Sequence, residues 1–181
     1  MLYTIGSCKS EPKKHLNPIT LGNFLCVYYF LTHVLYYCIA GLVHGEPVMF
    51  YAIIYSKSFT LNVESTVVFE KIIVNIGNHY NQYDGVFVAP RKGVYLFSWT
   101  ISIHGGQYAV TELVVENGVI SSTGETAGNS GARSTSMTAL CRMNKGDHAF
   151  IRTTGFGATN YIYSEDNYPR SSFLGIIVRD E

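Results

Sequence analysis

Charge is what this sequence has least of. Only 14% of its 181 residues are Asp, Glu, Lys or Arg, against a usual share of about 25%. The 13 basic and 13 acidic residues cancel, so there is no positive excess of the kind that DNA and RNA binders present. Cysteine is scarce and unevenly placed: Cys8, Cys26 and Cys38 precede residue 45, and only Cys141 lies beyond. No CxxC pair and no Cys/His zinc spacing occurs, which excludes a disulfide framework and a structural zinc site as the source of stability. Cys141 falls within the apolar alternation Met137, Ala139, Cys141, Met143 and reads as a small buried hydrophobe rather than a nucleophile. Catalytic signatures are missing too. There is no G-x-S-x-G elbow, HExxH or P-loop. "GFGATN" has two glycines of a dinucleotide fingerprint but follows no βαβ pattern. His79, His104 and His148 are scattered and read as solvated or hydrogen-bonded. The chain is expected not to be an enzyme, and no catalytic residue is nominated. No collagen triplet, heptad array or longer repeat appears.

One long run lacks charge altogether. Leu21 to Val43, 23 residues, contains no Asp, Glu, Lys or Arg, and Lys9, Lys13 and Lys14 lie upstream of it. Such a run is long enough to cross a hydrocarbon layer of about 30 Å as a helix. It also has the form of a signal peptide with a basic leader, with Ala40 offering a small residue for cleavage. Asn23, Thr32, His33 and four tyrosines make the span weakly hydrophobic. Residues 1–45 are therefore expected to be a leader acting as signal peptide or signal anchor, or an extension upstream of the true start. Either targeting role sends residues 46–181 outside the cell, secreted or on a single-pass anchor, with membrane contact only where the anchor is retained.

Aromatics are abundant instead, with 14 Tyr and 10 Phe, a composition that suits a β protein with a large core or an adhesive face. From Pro47 onward short alternating runs are separated by Gly, Asn and Asp. In "GVYLFSWTISI" the residues Tyr95, Phe97, Trp99, Ile101 and Ile103 alternate with Leu96, Ser98, Thr100 and Ser102. Period two puts the large apolar set on one face of a strand. "YAVTELVVENGVISS" predicts a hairpin turning at Asn117-Gly118, residues that tolerate positive φ. Eight to ten short strands and no helix predict an all-β sandwich or jelly roll.

The spacing becomes specific from Phe69 onward, through Asn75, Tyr80, Phe87, Gly93, Tyr95, Phe97 and Trp99. Together with "FVAPRKGVYLFS", "VVENGVI", "MNKGDHAFI" and "SFLGIIV", this series resembles the globular head domain of the C1q family over about Pro47 to Val178. Trp99 departs from the pattern, which has Phe or Tyr there. The resemblance implies a ten-stranded jelly-roll sandwich of two sheets, related to the tumour-necrosis-factor fold and assembled as a homotrimer or heterotrimer. On their own chemistry Phe69, Phe87, Tyr95 and Phe97 read as core, with some of the Tyr95–Trp99 aromatics reaching the trimer contact. Gly77 and Gly93 read as positive-φ turn residues, and Asn75 as a structural hydrogen-bonder.

Ligand contacts are expected in the loops. "FGATNYIYSEDNYPRS", Phe156 to Ser171, gathers Tyr161, Tyr163, Glu165, Asp166, Tyr168 and Arg170, and tyrosine offers large contact area at low entropic cost. Arg133 belongs to a second polar, glycine-rich loop, Thr123 to Ser134. Asp84, Glu165 and Asp166 could give oxygen ligands to Ca2+, as in some members of the family, although no calcium-loop spacing is present. The expected role is lectin-like recognition of microbial carbohydrate or anionic surfaces in innate immunity. The alternative is a cerebellin-like or tumour-necrosis-factor-like ligand of a cell-surface receptor.

Overall fold

The computed structural model describes residues 45–55, 57–129, 131–165 and 169–181. Most of the leader, with Asp166 and Tyr168, lies outside them. Among the described residues there are eleven strands and no helix, so none is long and apolar enough to cross a membrane.

The long alternating run becomes β5 (Gly93–His104). Its partner β8 (Ala132–Met143) pairs with it antiparallel along its whole length, Gly93 opposite Met143 and His104 opposite Ala132. On the other flank β5 pairs with β11 (Ser172–Asp180), which pairs with β1 (Met49–Ile53), and β1 with β3 (Lys71–Ile76). The result is a five-stranded sheet in the order β3-β1-β11-β5-β8. The facing sheet runs β4-β9-β6-β7, from β4 (Phe87–Val88), β9 (His148–Thr153), β6 (Tyr108–Val115) and β7 (Gly118–Thr126). A two-stranded ribbon of β2 (Lys57–Thr60) and β10 (Tyr161–Ser164) completes the jelly roll. The ribbon converts the centre of the expected Phe156–Ser171 loop into a strand.

Tyr95, Phe97, Trp99, Ile101 and Ile103 all point between the sheets and are fully buried. They are core of this one chain, so none of the three aromatics reaches a surface where another copy could touch it. Phe50 stacks on Tyr80 with ring centroids 4.6 Å apart and meets Phe173 edge-on at 4.9 Å. Phe87 and Phe97 extend the cluster at 5.6 Å. Each such ring contributes roughly 1.5–3 kcal/mol on burial, and the pairing geometry adds about 0.5–1.5 kcal/mol. Trp99 is accommodated because its indole Nε1 donates to the buried Thr111 Oγ1 at 3.0 Å. That bond satisfies the polar group a Phe would not bring.

Two expected turns differ. The β6–β7 hairpin turns at Glu116-Asn117, with Val115 opposite Gly118 and positive φ at Glu116, one residue earlier than expected. Glu116 is held there because its carboxylate accepts from His148 N at 2.7 Å. Gly93 does not have positive φ, unlike Gly77. It is glycine because a Cβ there would collide with the Arg179 carbonyl oxygen across the β5–β11 bulge.

The signature residues Phe69, Asn75 and Tyr80 form one clamp. Tyr80 OH accepts from Phe69 N at 3.1 Å and donates to Phe69 O at 3.2 Å. Asn75 Nδ2 donates to Tyr80 O at 2.8 Å, and its Oδ1 accepts from Tyr80 N at 3.3 Å. Tyr80→Phe keeps the ring but leaves both Phe69 backbone groups without the phenol. The expected loss is about 1–3 kcal/mol, measurable by urea unfolding.

Candidate functional site

The surfaces open to a ligand or another copy are the outward faces of the two sheets and the two ends of the sandwich, and the five-stranded sheet carries the longer apolar row. On the sheet, register builds what linear sequence hides. Ile76 lies opposite Met49, Met49 opposite Ile176, Ile176 opposite Leu96, and Leu96 opposite Leu140. The five side chains form an unbroken apolar row across all five strands, facing away from the core, with Leu140 60% exposed. The next row begins Val74, Tyr51, Leu174 and ends Ser98, Thr138. Beyond it come Ser172, Thr100 and Ser136. On β5 and β8 the face thus runs from Val94 and the exposed Arg142, through the hydrocarbon of Leu96 and Leu140, to hydroxyls. Exposed apolar surface of this extent on one sheet is characteristic of interaction surfaces.

At the end where β5 terminates, the expected ligand residues separate. Tyr161 is half-buried in β10 opposite Thr60. Tyr163 is 9% exposed, its ring 5.0 Å from that of His104. Glu165 is exposed immediately after β10. Ser164 Oγ donates to Ile54 O at 2.6 Å and accepts from Ser171 N at 3.3 Å, which pins the neck of the loop between β10 and β11. Arg133 stands on β8 opposite Ile103, exposed. Arg170 is brought to a ring that sequence reasoning missed. Its guanidinium carbon lies 5.9 Å from the Tyr55 centroid, and Lys71 Nζ lies 3.6 Å from the same centroid. Glu70 stands alongside, accepting from Tyr55 N at 3.1 Å and pairing with Lys57 at 3.0 Å. Tyr55, Lys57 and Lys71 carry no local motif. Only their convergence on Arg170 in three dimensions marks them.

Asp84 braces its own turn. One carboxylate oxygen accepts from Asn81 Nδ2 at 2.7 Å and the other from Val86 N at 3.0 Å. Both oxygens serve the loop, and among the described residues no three His, Cys, Asp or Glu side chains cluster as metal ligands. Of the other residues expected to offer oxygen to Ca2+, Glu165 is exposed just after β10 and Asp166 lies outside the described residues. Cys141 faces the core side of β8, and burial pushes its thiol up to about 11 from 9.0. At pH 8 its alkylation by iodoacetamide is expected to be about 100-fold slower than that of an ordinary thiol, since the thiolate is the reactive form. Peptide mapping of the folded chain after timed alkylation measures this.

Two large apolar side chains at loop tips are well exposed, Tyr83 at 84% and Phe156 at 78%, the latter between Gly155 and Gly157.

Comparison with known proteins agrees with this architecture. The C1q domain family model matches residues 49–178. The chain is 27% identical over 119 residues to Complement C1q tumor necrosis factor-related protein 6 of Rattus norvegicus, covering 64% of this chain and 44% of that protein. It is 32% identical over 120 residues to Complement C1q tumor necrosis factor-related protein 3 of Mus musculus, covering 65% and 46%. With Multimerin-2 of Homo sapiens it shares 31% identity over 110 residues, 61% of this chain but 11% of that one. The chain therefore spans less than half the length of each of these relatives. Among solved structures, the globular domain of zebrafish complement 1qA superposes with a TM-score of 0.61 at 16% identity, covering 74% of this chain and 99% of that one. Eiger TNF from S. frugiperda gives 0.60 at 10% identity, covering 76% and 96%. By its matched residues, its signature clamp and its two-sheet jelly roll, this chain belongs to the C1q domain family.

Proposed function

We propose that this domain acts outside the cell as a trimeric recognition module whose ligands are glycans or anionic microbial surfaces. The observation that carries the ligand class is the convergence of Lys71 and Arg170 on the exposed Tyr55 ring. Two cations gathered over one tyrosine ring concentrate positive charge that suits a ligand bearing a carboxylate, sulfate or phosphate. Trimerisation rests on the apolar row from Ile76 to Leu140, which three copies could bury together. Weak single sites would then gain avidity on a repetitive surface. Binding, not catalysis, is the activity assigned.

The test is a glycan and lipopolysaccharide array, with and without Ca2+, probed with the chain and with Lys71→Ala/Arg170→Ala. Saturable binding to anionic glycans that the double variant reduces at least tenfold supports the reading. Equal binding by both proteins, or none by either, sinks it. A second reading, a signalling or adhesion ligand for a cell-surface receptor, is favoured by Tyr83 and Phe156, since exposed aromatics are common anchors in protein interfaces. Receptor binding lost in Phe156→Ala while glycan binding is absent would decide for it.

A further inference from the structure

Gly118 has no conformational task in this fold. The β6–β7 hairpin turns at Glu116-Asn117, so Gly118 falls in β7, opposite Val115. It does not have positive φ. A Cβ there would meet only the Val115 carbonyl oxygen, at an ordinary 3.6 Å. Glycine has no side chain to pack in a strand and weakens it, so alanine would serve the hairpin better. What glycine supplies is chemistry, because its bare backbone leaves the nitrogen open to attack the carboxamide that precedes it. Asn117 precedes it, exposed at the tip, in the one Asn-Gly pair of the chain. Among the described residues no hydrogen bond holds the Asn117 carboxamide.

The tip also opens readily. β7 is an edge strand, so peeling it back breaks ladder bonds on one side only. A register shift separates the pairs Val115–Gly118 and Val114–Val119 from the rest of the β6–β7 ladder. A short ladder beyond a bulge frays first, and fraying releases the Gly118 nitrogen. Asp84-Gly85 has similar chemistry under the opposite constraint. Both Asp84 oxygens accept hydrogen bonds, and Gly85 N donates to Asn81 O at 2.9 Å. Gly85 has positive φ, and a Cβ there would stand 2.9 Å from the Val67 carbonyl oxygen. There the backbone requires glycine, and the nucleophile is occupied.

We propose that Asn117 is a site of spontaneous deamidation. The Gly118 nitrogen gives its proton to solvent base and attacks Asn117 Cγ. The new N–Cγ bond closes a succinimide, the Cγ–Nδ2 bond breaks, and ammonia leaves with a proton from water. A second water then opens the ring at either carbonyl, giving aspartate or isoaspartate. The turn is two residues long, so the product alters it. Isoaspartate routes the backbone through the side-chain methylene, and the extra atom does not fit the present register of Val115 and Gly118. Either product also places a carboxylate next to Glu116, whose carboxylate oxygen lies 2.7 Å from His148 N and 2.9 Å from His148 Nδ1. Like charge there loosens the hold of the turn on β9.

The full chain is incubated at neutral pH and at pH 9, folded or in guanidinium chloride. Peptide mapping with electron-transfer fragmentation then separates isoaspartate from aspartate. Folded wild type is expected to gain one mass unit at Asn117 at no less than about a tenth of the unfolded rate, and faster at pH 9. Asp84 in the folded chain is expected to stay aspartate. Gly118→Ala is expected to slow the reaction at least tenfold while keeping the near-UV signal of the buried Trp99. In the isoaspartate product, hydrogen exchange at Glu116 N, which donates to His148 O at 2.9 Å, is expected to rise at least fivefold. An Asn117 that stays intact in the folded chain but reacts in guanidinium overturns the proposal, since the hairpin then shields it. A Gly118→Ala rate equal to wild type overturns it too, because the amide would be lost by another route. Should Gly118→Ala fail to fold, the comparison of folded with unfolded wild type decides alone.

Discussion

Gly175→Ala destabilises this domain by about 1–3 kcal/mol, and Gly175→Val by more, through overpacking alone. Gly175 lies in the middle of β11, between Phe50 on β1 and Phe97 on β5. A Cβ there would stand 2.7 Å from Phe97 Cε1 and would also collide with Phe50 Cε1. Neither ring has room to retreat, because Phe50 is stacked on Tyr80 and edge-on to Phe173, while Phe97 packs on Phe87. The backbone at Gly175 does not have positive φ. Alanine should therefore stabilise by about 0.4–1 kcal/mol through the unfolded state if space allowed it. A measured loss isolates the steric cost. Urea unfolding of Gly175→Ala measures it, and in Gly175→Ala combined with Phe97→Leu the two losses are expected to be less than additive, because leucine opens room for the methyl group. A gain in the single variant would contradict the packing described.

How legible this was depends on where the information lies along the chain. The inward face of β5 is local, since a strand with two unlike faces writes period two into consecutive residues, and Tyr95 to Ile103 show it directly. The Phe69–Asn75–Tyr80 spacing is legible for a related reason. The clamp needs a phenol and an amide at fixed distances along one short stretch that spans β3. Gly175 is less transparent, because nothing nearby in sequence shows that rings from two other strands converge on it. The ribbon of β2 and β10 is missed because Lys57–Thr60 and Tyr161–Ser164 are four residues each, too short for periodicity to exceed noise. The candidate surfaces are the least legible. The row Ile76, Met49, Ile176, Leu96, Leu140 draws one residue from each of five strands, and its continuity exists only once pairing register is known. Tyr55, Lys71 and Arg170 meet in the same way, so reading loops for tyrosines found Arg170 and missed its neighbours.

The second large effect concerns that row. Leu140→Asp is expected to leave the folded monomer intact and to weaken self-association by at least about 100-fold, which corresponds to about 2.7 kcal/mol. In the single chain Leu140 is 60% exposed and points away from the core, so a carboxylate there is solvated and costs little. In an assembly that buries the row, every copy would carry that carboxylate into an apolar contact, where an unpaired charge costs several kcal/mol. Because the side chain touches Leu96 and not the core, Trp99 fluorescence and far-UV circular dichroism should match wild type. Val119→Asp is the control: Val119 is also exposed and apolar but lies on β7 of the opposite sheet, and it should leave association unchanged. Sedimentation equilibrium over nanomolar to micromolar concentrations separates the outcomes. Dissociation in Leu140→Asp alone assigns the contact to the β3-β1-β11-β5-β8 face. Dissociation in Val119→Asp alone moves it to the other sheet, and the low charge of the chain would then have to be explained by burial there.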